Sequence, residues 1–191
     1  MTTHAIAWSI LWPALIAGLI VAASHVPLGV QVLRKGIVFI DLAIAQIAGF
    51  GVVAADAFGF ESGVMVQGSA LAAAILGAVV LTWTEKKFPD VQEAIIGVSF
   101  VLAATAALIL LSSNPHGAEH MKDILVGQIL WVNPSELWLQ GAISAIVLIV
   151  WIALGERISR VGFYVLFACA VTMSVQLIGI YLVFATLIIP A

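Results

Sequence analysis

Charge is what this chain has least of. Only 9% of its 191 residues are Asp, Glu, Lys or Arg, while 63% are hydrophobic. Soluble domains carry about 25% charged residues, so a chain this poor in charge could not cover a water-facing surface. Cysteine is nearly absent. The one thiol, Cys169, lies in an apolar run, which excludes an internal disulfide and a cysteine-built metal cluster and leaves it as a small apolar residue. No Lys or Arg precedes the first apolar run, which starts near Ala5. A secretory signal needs a positive leading region, so this run is expected to stay as a span. No Walker sequence, Gly-rich phosphate loop or nucleophile elbow is found. Any ATP hydrolysis must therefore come from another chain.

What is present is a series of long apolar runs. Six stand out, over 6–24, 37–57, 63–84, 94–112, 135–154 and 161–178. About 20 apolar residues cross a bilayer core as a helix. Barrel strands would alternate polar and apolar residues, and these runs do not. The expected fold is all-α, a polytopic membrane bundle of six spans. A stretch of 31 residues, Val161–Ala191, has no charge at all. One straight helix of that length would measure roughly 46 Å, so a break is expected near Gly179. Ile180 to Ala191 would then begin a seventh span running back. The expected organisation is one transmembrane domain over 1–191, incomplete at its C-terminus.

The seven basic residues are not scattered. Arg34 and Lys35 follow the first run, Lys86 and Lys87 the third, and Arg157 and Arg160 the fifth. The alternate loops hold Asp56, Glu61, Glu119 and Asp123, with Lys122 as their one cation. Short loops rich in Lys and Arg stay in the cytoplasm, which places the N-terminus outside.

Few residues can carry chemistry. Asp41 lies about one turn into the second run. A carboxylate there is an ion ligand or pathway residue, or else a structural acid paired with Arg34 or Lys35. Gln46, five residues on, is about 140° around the helix from Asp41, so the two alone make a poor two-ligand site. Gln67 and Gln176 are also intramembrane and are expected to hydrogen-bond between helices, with Gln176 a further pathway candidate. His25, just before Pro27, sits near the expected end of the first span and reads as structural. The loop string His116-Gly117-Ala118-Glu119-His120 has the H-x-x-E-H form of one zinc protease class. If helical, His116 and His120 would share a face and could meet one metal together with Glu119. A metal-collecting loop, a solvated polar loop and a protease motif are the readings open here. Met121 to Trp131 is apolar but too short to span, and fits a helix at the outer interface with Trp131 as anchor.

Several motifs in order resemble a known family. These are Pro27-Leu28-Gly29, Arg34-Lys35-Gly36 through Asp41 with Gln46 and Gly51, and Glu93-Ala94-Ile95-Ile96-Gly97. They continue with Asp123 through Leu130, Asn133-Pro134-Ser135-Glu136-Leu137, and Val175 through Gly179 with Leu187-Ile188-Ile189-Pro190-Ala191. The pattern resembles the permeases of metal-ion ABC transporters of the zinc, manganese and iron-chelate uptake type, over nearly the whole chain. The resemblance implies a permease in a bacterial cytoplasmic (inner) membrane that imports divalent metal, zinc first, with manganese or iron as alternatives. An iron chelate or vitamin as cargo and an intramembrane metalloprotease are the competing readings. It implies a second permease copy, a cytoplasmic ATPase subunit and an extracytoplasmic metal-binding protein as partners. It implies no nucleic acid and no permanently bound cofactor. Family members often carry Asp and His four residues apart in the second span, where this chain has Asp41 and, five on, Gln46. They also have a longer cytoplasmic segment before the sixth span. Here Gly155 through Arg160 stands in that place, making Glu156, Arg157 and Arg160 the candidate ATPase contacts. Members usually continue past the Pro-Ala motif.

Overall fold

The computed structural model describes residues 3–60, 62–112, 122, 125–127, 129–132 and 134–191. Six helices are long and apolar enough to cross a membrane. They are α1 (Thr3–Lys35), α2 (Ile40–Ala57), α3 (Gly63–Lys87), α4 (Gln92–Leu111), α5 (Pro134–Leu154) and α6 (Arg160–Ile188). No strand occurs among the described residues. Without water in the hydrocarbon layer each span must satisfy its own backbone, and helices do so internally. The expected all-α bundle of six spans is the observed one.

The first span differs from its expected limits. Helix α1 runs through both Pro13 and Pro27 to Lys35, where the sequence suggested an end at residue 24. A proline removes one backbone donor, and in a packed membrane bundle neighbouring groups make up the loss. His25 is therefore buried mid-helix and not at a span end.

The break expected in the last apolar stretch is there. Gly179 has φ 78° and ψ 164° within α6, a conformation essentially reserved for glycine. Its backbone abuts that of Gly127, which has φ 70°. Beyond the break, the Phe184 ring stacks on Phe39 at 6.4 Å, and Leu187 packs against Gly29. The chain thus turns back toward the end of the bundle where α1 finishes and α2 starts.

Helices α2 and α6 form the centre, with 61% of each apolar span buried against 22% in α3, α4 and α5. Small residues allow the close approach. Ala70, Ala74 and Ala78 recur every four residues on α3 and are all buried. A Cβ on Gly51 of α2 would lie 2.7 Å from the Ser69 carbonyl oxygen. At the other side of the core, Phe163 meets Trp151, Tyr164 and Phe167 with centroids 5.8 to 6.1 Å apart.

The basic residues gather at one end. Lys35 ends α1, Lys86 and Lys87 end α3, and Arg157 and Arg160 flank the start of α6. Cations there complement the negative C-termini of α1 and α3.

Candidate functional site

The basic end is built from paired charges. Glu85 Oε1 lies 3.8 Å from Lys35 Nζ and 3.8 Å from Arg160 Nε, joining α1, α3 and α6. Lys35 also sits 5.4 Å above the Phe163 ring. Beneath this, Thr84 Oγ1 donates to Gln92 Oε1 at 3.0 Å, and Gln92 Nε2 donates to the Leu81 carbonyl at 2.9 Å. These buried polar groups satisfy one another, as an apolar surrounding demands.

Asp41 stands apart. It is 1% exposed, and neither carboxylate oxygen has a hydrogen-bond partner. Lys35, one of the two partners expected for it, is engaged with Glu85. The groups that act electrostatically on Asp41 include its own N–H and that of Leu42, in the open first turn of α2, and the carboxylate of Glu93. Glu93, from α4, accepts a hydrogen bond from the Phe39 N–H at 3.1 Å through Oε1. Phe39 is the N-cap residue of α2 and has no capping side chain of its own, so an acid from another helix takes that role. Its second oxygen, Oε2, is buried and unpartnered. Three carboxylate oxygens from two helices are thus buried without donors beside the α2 N-terminus. Unpaired buried anions are costly; the arrangement suits a cation.

Toward the other end of the bundle lies a cavity of about 520 Å³. Its walls are the α2 positions Ala48, Gly49 and Val52, the start of α3, Trp131 with Val132, and Thr172 to Leu177 of α6. Among the described residues its polar groups are Gln67, Gln176 and Thr172, and none of those lining it is charged. A second cavity of about 280 Å³ shares Gln67, Gln176 and Leu177 and adds Gln140. Gln67 and Gln176 were expected to bond between helices. Instead both are exposed and face these spaces. The residues are intramembrane, as expected, but helix rotation turns them inward to a void and not to a neighbour.

Gln46 is buried in the α2 core and lines neither cavity. Arg157 is exposed at the basic end. Arg160 is half exposed and shares Glu85 with Lys35. Glu156 falls in the 3-10 turn Gly155–Arg157. His116, Glu119 and His120 lie outside the described residues. Among the described residues no group of three or more His, Cys, Asp or Glu forms a metal cluster. Glu93, Glu85, Gln140 and Thr172 are the polar residues that sequence reasoning did not assign to a site. The signal for Glu93 was its place immediately before an apolar run, in what becomes the first turn of α4.

The bundle thus holds a buried acid near one end and, among the described residues, an uncharged polar cavity toward the other. Residues 7–157 match the model of the ABC 3 transport family. The chain belongs to that family. As a member of the ABC 3 transport family it is a membrane-spanning transport subunit, not an enzyme, and proteolysis by the H-x-x-E-H string is the disfavoured reading. Among curated relatives, it is 23% identical to an uncharacterized membrane protein of Synechocystis over 98% of this chain and 72% of that protein. It is 26% identical to a Chlamydia trachomatis protein named "Probable metal transport system membrane protein", over 71% of this chain and 47% of that one. Among solved structures, PsaBC from Streptococcus pneumoniae, in complex with Fab, matches with a TM-score of 0.69 at 21% identity, covering 94% of this chain and 70% of that chain. A structure described as a metal-chelate type ABC transporter in an inward-facing conformation matches with a TM-score of 0.70 at 16% identity. It is covered over 62% of its length, and this chain over 87%. These likenesses establish the fold. The chain spans just under half to just under three quarters of the proteins it matches.

Proposed function

We propose that this chain is the permease subunit of an ATP-binding cassette importer for divalent metal ions, with zinc first and manganese or iron as alternatives. The observation that carries the reading is Asp41, a fully buried intramembrane carboxylate with no donor on either oxygen. An intramembrane acid in a transport-family bundle marks an ion path. A passing cation would supply the missing partner. The Glu93 carboxylate acts on Asp41 electrostatically, and the same cation would relieve both. Oxygen ligands of this kind accept manganese and iron(II) as well as zinc. His116 and His120 are the reason zinc is placed first.

The basic end is assigned to the cytoplasm on the positive-inside pattern, which puts the N-terminus outside and the cavity toward the outer face. Gly155 to Arg160, with Arg157 exposed, would meet a separate ATPase chain. A second permease copy and an extracytoplasmic metal-binding protein complete the assembly, in a bacterial inner membrane. The test is accumulation of zinc, manganese and iron in a strain lacking this chain. The expected outcome is a fall in uptake of one of the three, restored by the intact chain and not by Asp41→Asn. Unchanged accumulation of all three would sink the metal reading and turn attention to an iron chelate or vitamin.

A further inference from the structure

Thr172 breaks a habit of the hydroxyls on these helices. Thr82, Thr105 and Thr186 each donate to a carbonyl one turn back on their own helix, at 2.7 to 2.8 Å. Such back-bonding satisfies a hydroxyl where there is no water. Thr172 is 1% exposed, yet its Oγ1 has no partner. The residue lines the larger cavity, and Gln176, one turn further along α6, lines it too. Gln67 joins them from α3. Two amides and an unpartnered hydroxyl thus border a space of about 520 Å³, with neither carboxylate nor imidazole among the described lining residues.

That wall is a poor host for a bare metal ion. A divalent cation stripped of water needs oxygen ligands at about 2.0–2.6 Å on all sides. Away from water it also needs negative charge to offset its lost hydration. A wide cavity with uncharged groups on separate helices supplies neither. A cation that keeps its water shell makes different demands. Six waters at about 30 Å³ each fill roughly 180 Å³, well within the cavity. Their O–H groups point outward as donors. Amide oxygens and the hydroxyl oxygen of Thr172 are the acceptors such a shell requires.

We propose that the larger cavity takes up the cation as a hydrated ion, held through its water shell by Gln67, Thr172 and Gln176. The inference rests on the metal-permease reading and adds the form in which the cargo enters. It divides the work between two places. The cavity meets only the shell, so it admits magnesium as readily as zinc. Choosing between metals needs direct ligands, and that task falls to a charged site such as Asp41 with Glu93. Magnesium, which gives up its water reluctantly, would enter the cavity and go no further.

The probe is hexaamminecobalt(III), a cation about the size of a hydrated metal ion whose six ammine ligands do not exchange. It presents N–H donors on every side and cannot coordinate protein groups directly. The full chain is purified in detergent at physiological salt, and bound cobalt is measured after equilibrium dialysis. The expected result is saturable binding of one complex per chain, displaced by excess magnesium. Gln67→Leu with Gln176→Leu should weaken it at least tenfold. Thr172→Val, which keeps the side-chain shape, should weaken it about threefold and decides the matter should the double variant not fold. An absence of bound cobalt would overturn the proposal, as would binding that these substitutions leave intact. Binding lost in Asp41→Asn but kept in the amide variants would overturn it too, by moving the ion to the acid. Failure of the transport reading is seen separately, as unchanged metal accumulation in cells lacking the chain.

Discussion

The two ends of this bundle handle polarity in opposite ways. At the basic end, charges are brought together: Lys35, Glu85 and Arg160 pair across three helices, and Glu93 caps a fourth. Toward the other end, the described residues of the cavity wall are uncharged, with two amides and a hydroxyl among them. The charged end fixes helices to one another, because Glu85 of α3 meets cations from α1 and α6. The cavity's amides do not tie helices in this way: among the described residues neither Gln67 nor Gln176 bonds to a neighbouring helix. Asp41 is the exception that joins the two. It belongs to the charged end by position, but its oxygens are as free as the cavity's amides.

The largest effect is expected where the two regions depend on one backbone contact. Gly179→Ala would force a side chain into a glycine-only conformation and into the Gly127 backbone. The loss should be about 3 kcal/mol or more, seen as a collapse of the thermal transition in detergent. A wild-type transition would mean that the turn at Gly179 is dispensable. Next comes Asp41→Asn. Metal uptake should fall by roughly tenfold or more, equivalent to ~1.4 kcal/mol in the barrier, while thermal stability stays level or rises because an unpaired buried anion is removed. A fall in stability with intact uptake would return Asp41 to the structural acids.

Glu85→Gln tests the charged end alone. Arg160 is half exposed, so the pairs are discounted for solvent, and the expected loss is about 0.5–1 kcal/mol. It should shrink as salt is raised, and a salt-independent loss would mean that Glu85 acts through something other than these ion pairs. The smallest effect on stability belongs to the cavity. Gln67→Leu with Gln176→Leu should leave the thermal transition within about 0.5 kcal/mol of wild type but raise the metal concentration needed for half-maximal uptake. A large destabilisation would show that the two amides bond between helices after all.

Much of this was legible beforehand. The span count, the break at Gly179 and the gathering of basic residues follow from hydropathy, chain length and charge position. The true length of α1 was not, because Pro27 reads as a stop in water and is tolerated in a packed membrane bundle. The site was legible only in part. Asp41 announces itself as a rare intramembrane acid, but its lack of a partner does not. Glu93 carries no sign that it will cap a helix more than fifty residues away in sequence. Gln67 and Gln176 look like helix glue until rotation places them on a void.

The reason is common to all these cases. In a soluble protein, the apolar stripe of a helix tells which face is buried. In lipid, the outward face is apolar too, and the stripe disappears. Sequence by itself determined that this chain is a helical membrane bundle, where it turns, which end carries the cations, and that Asp41 is its exposed question. Only the tertiary structure decided which face each helix presents. That choice put Asp41 beside Glu93, left His25 with a free nitrogen, and opened the neutral cavity between α2, α3 and α6.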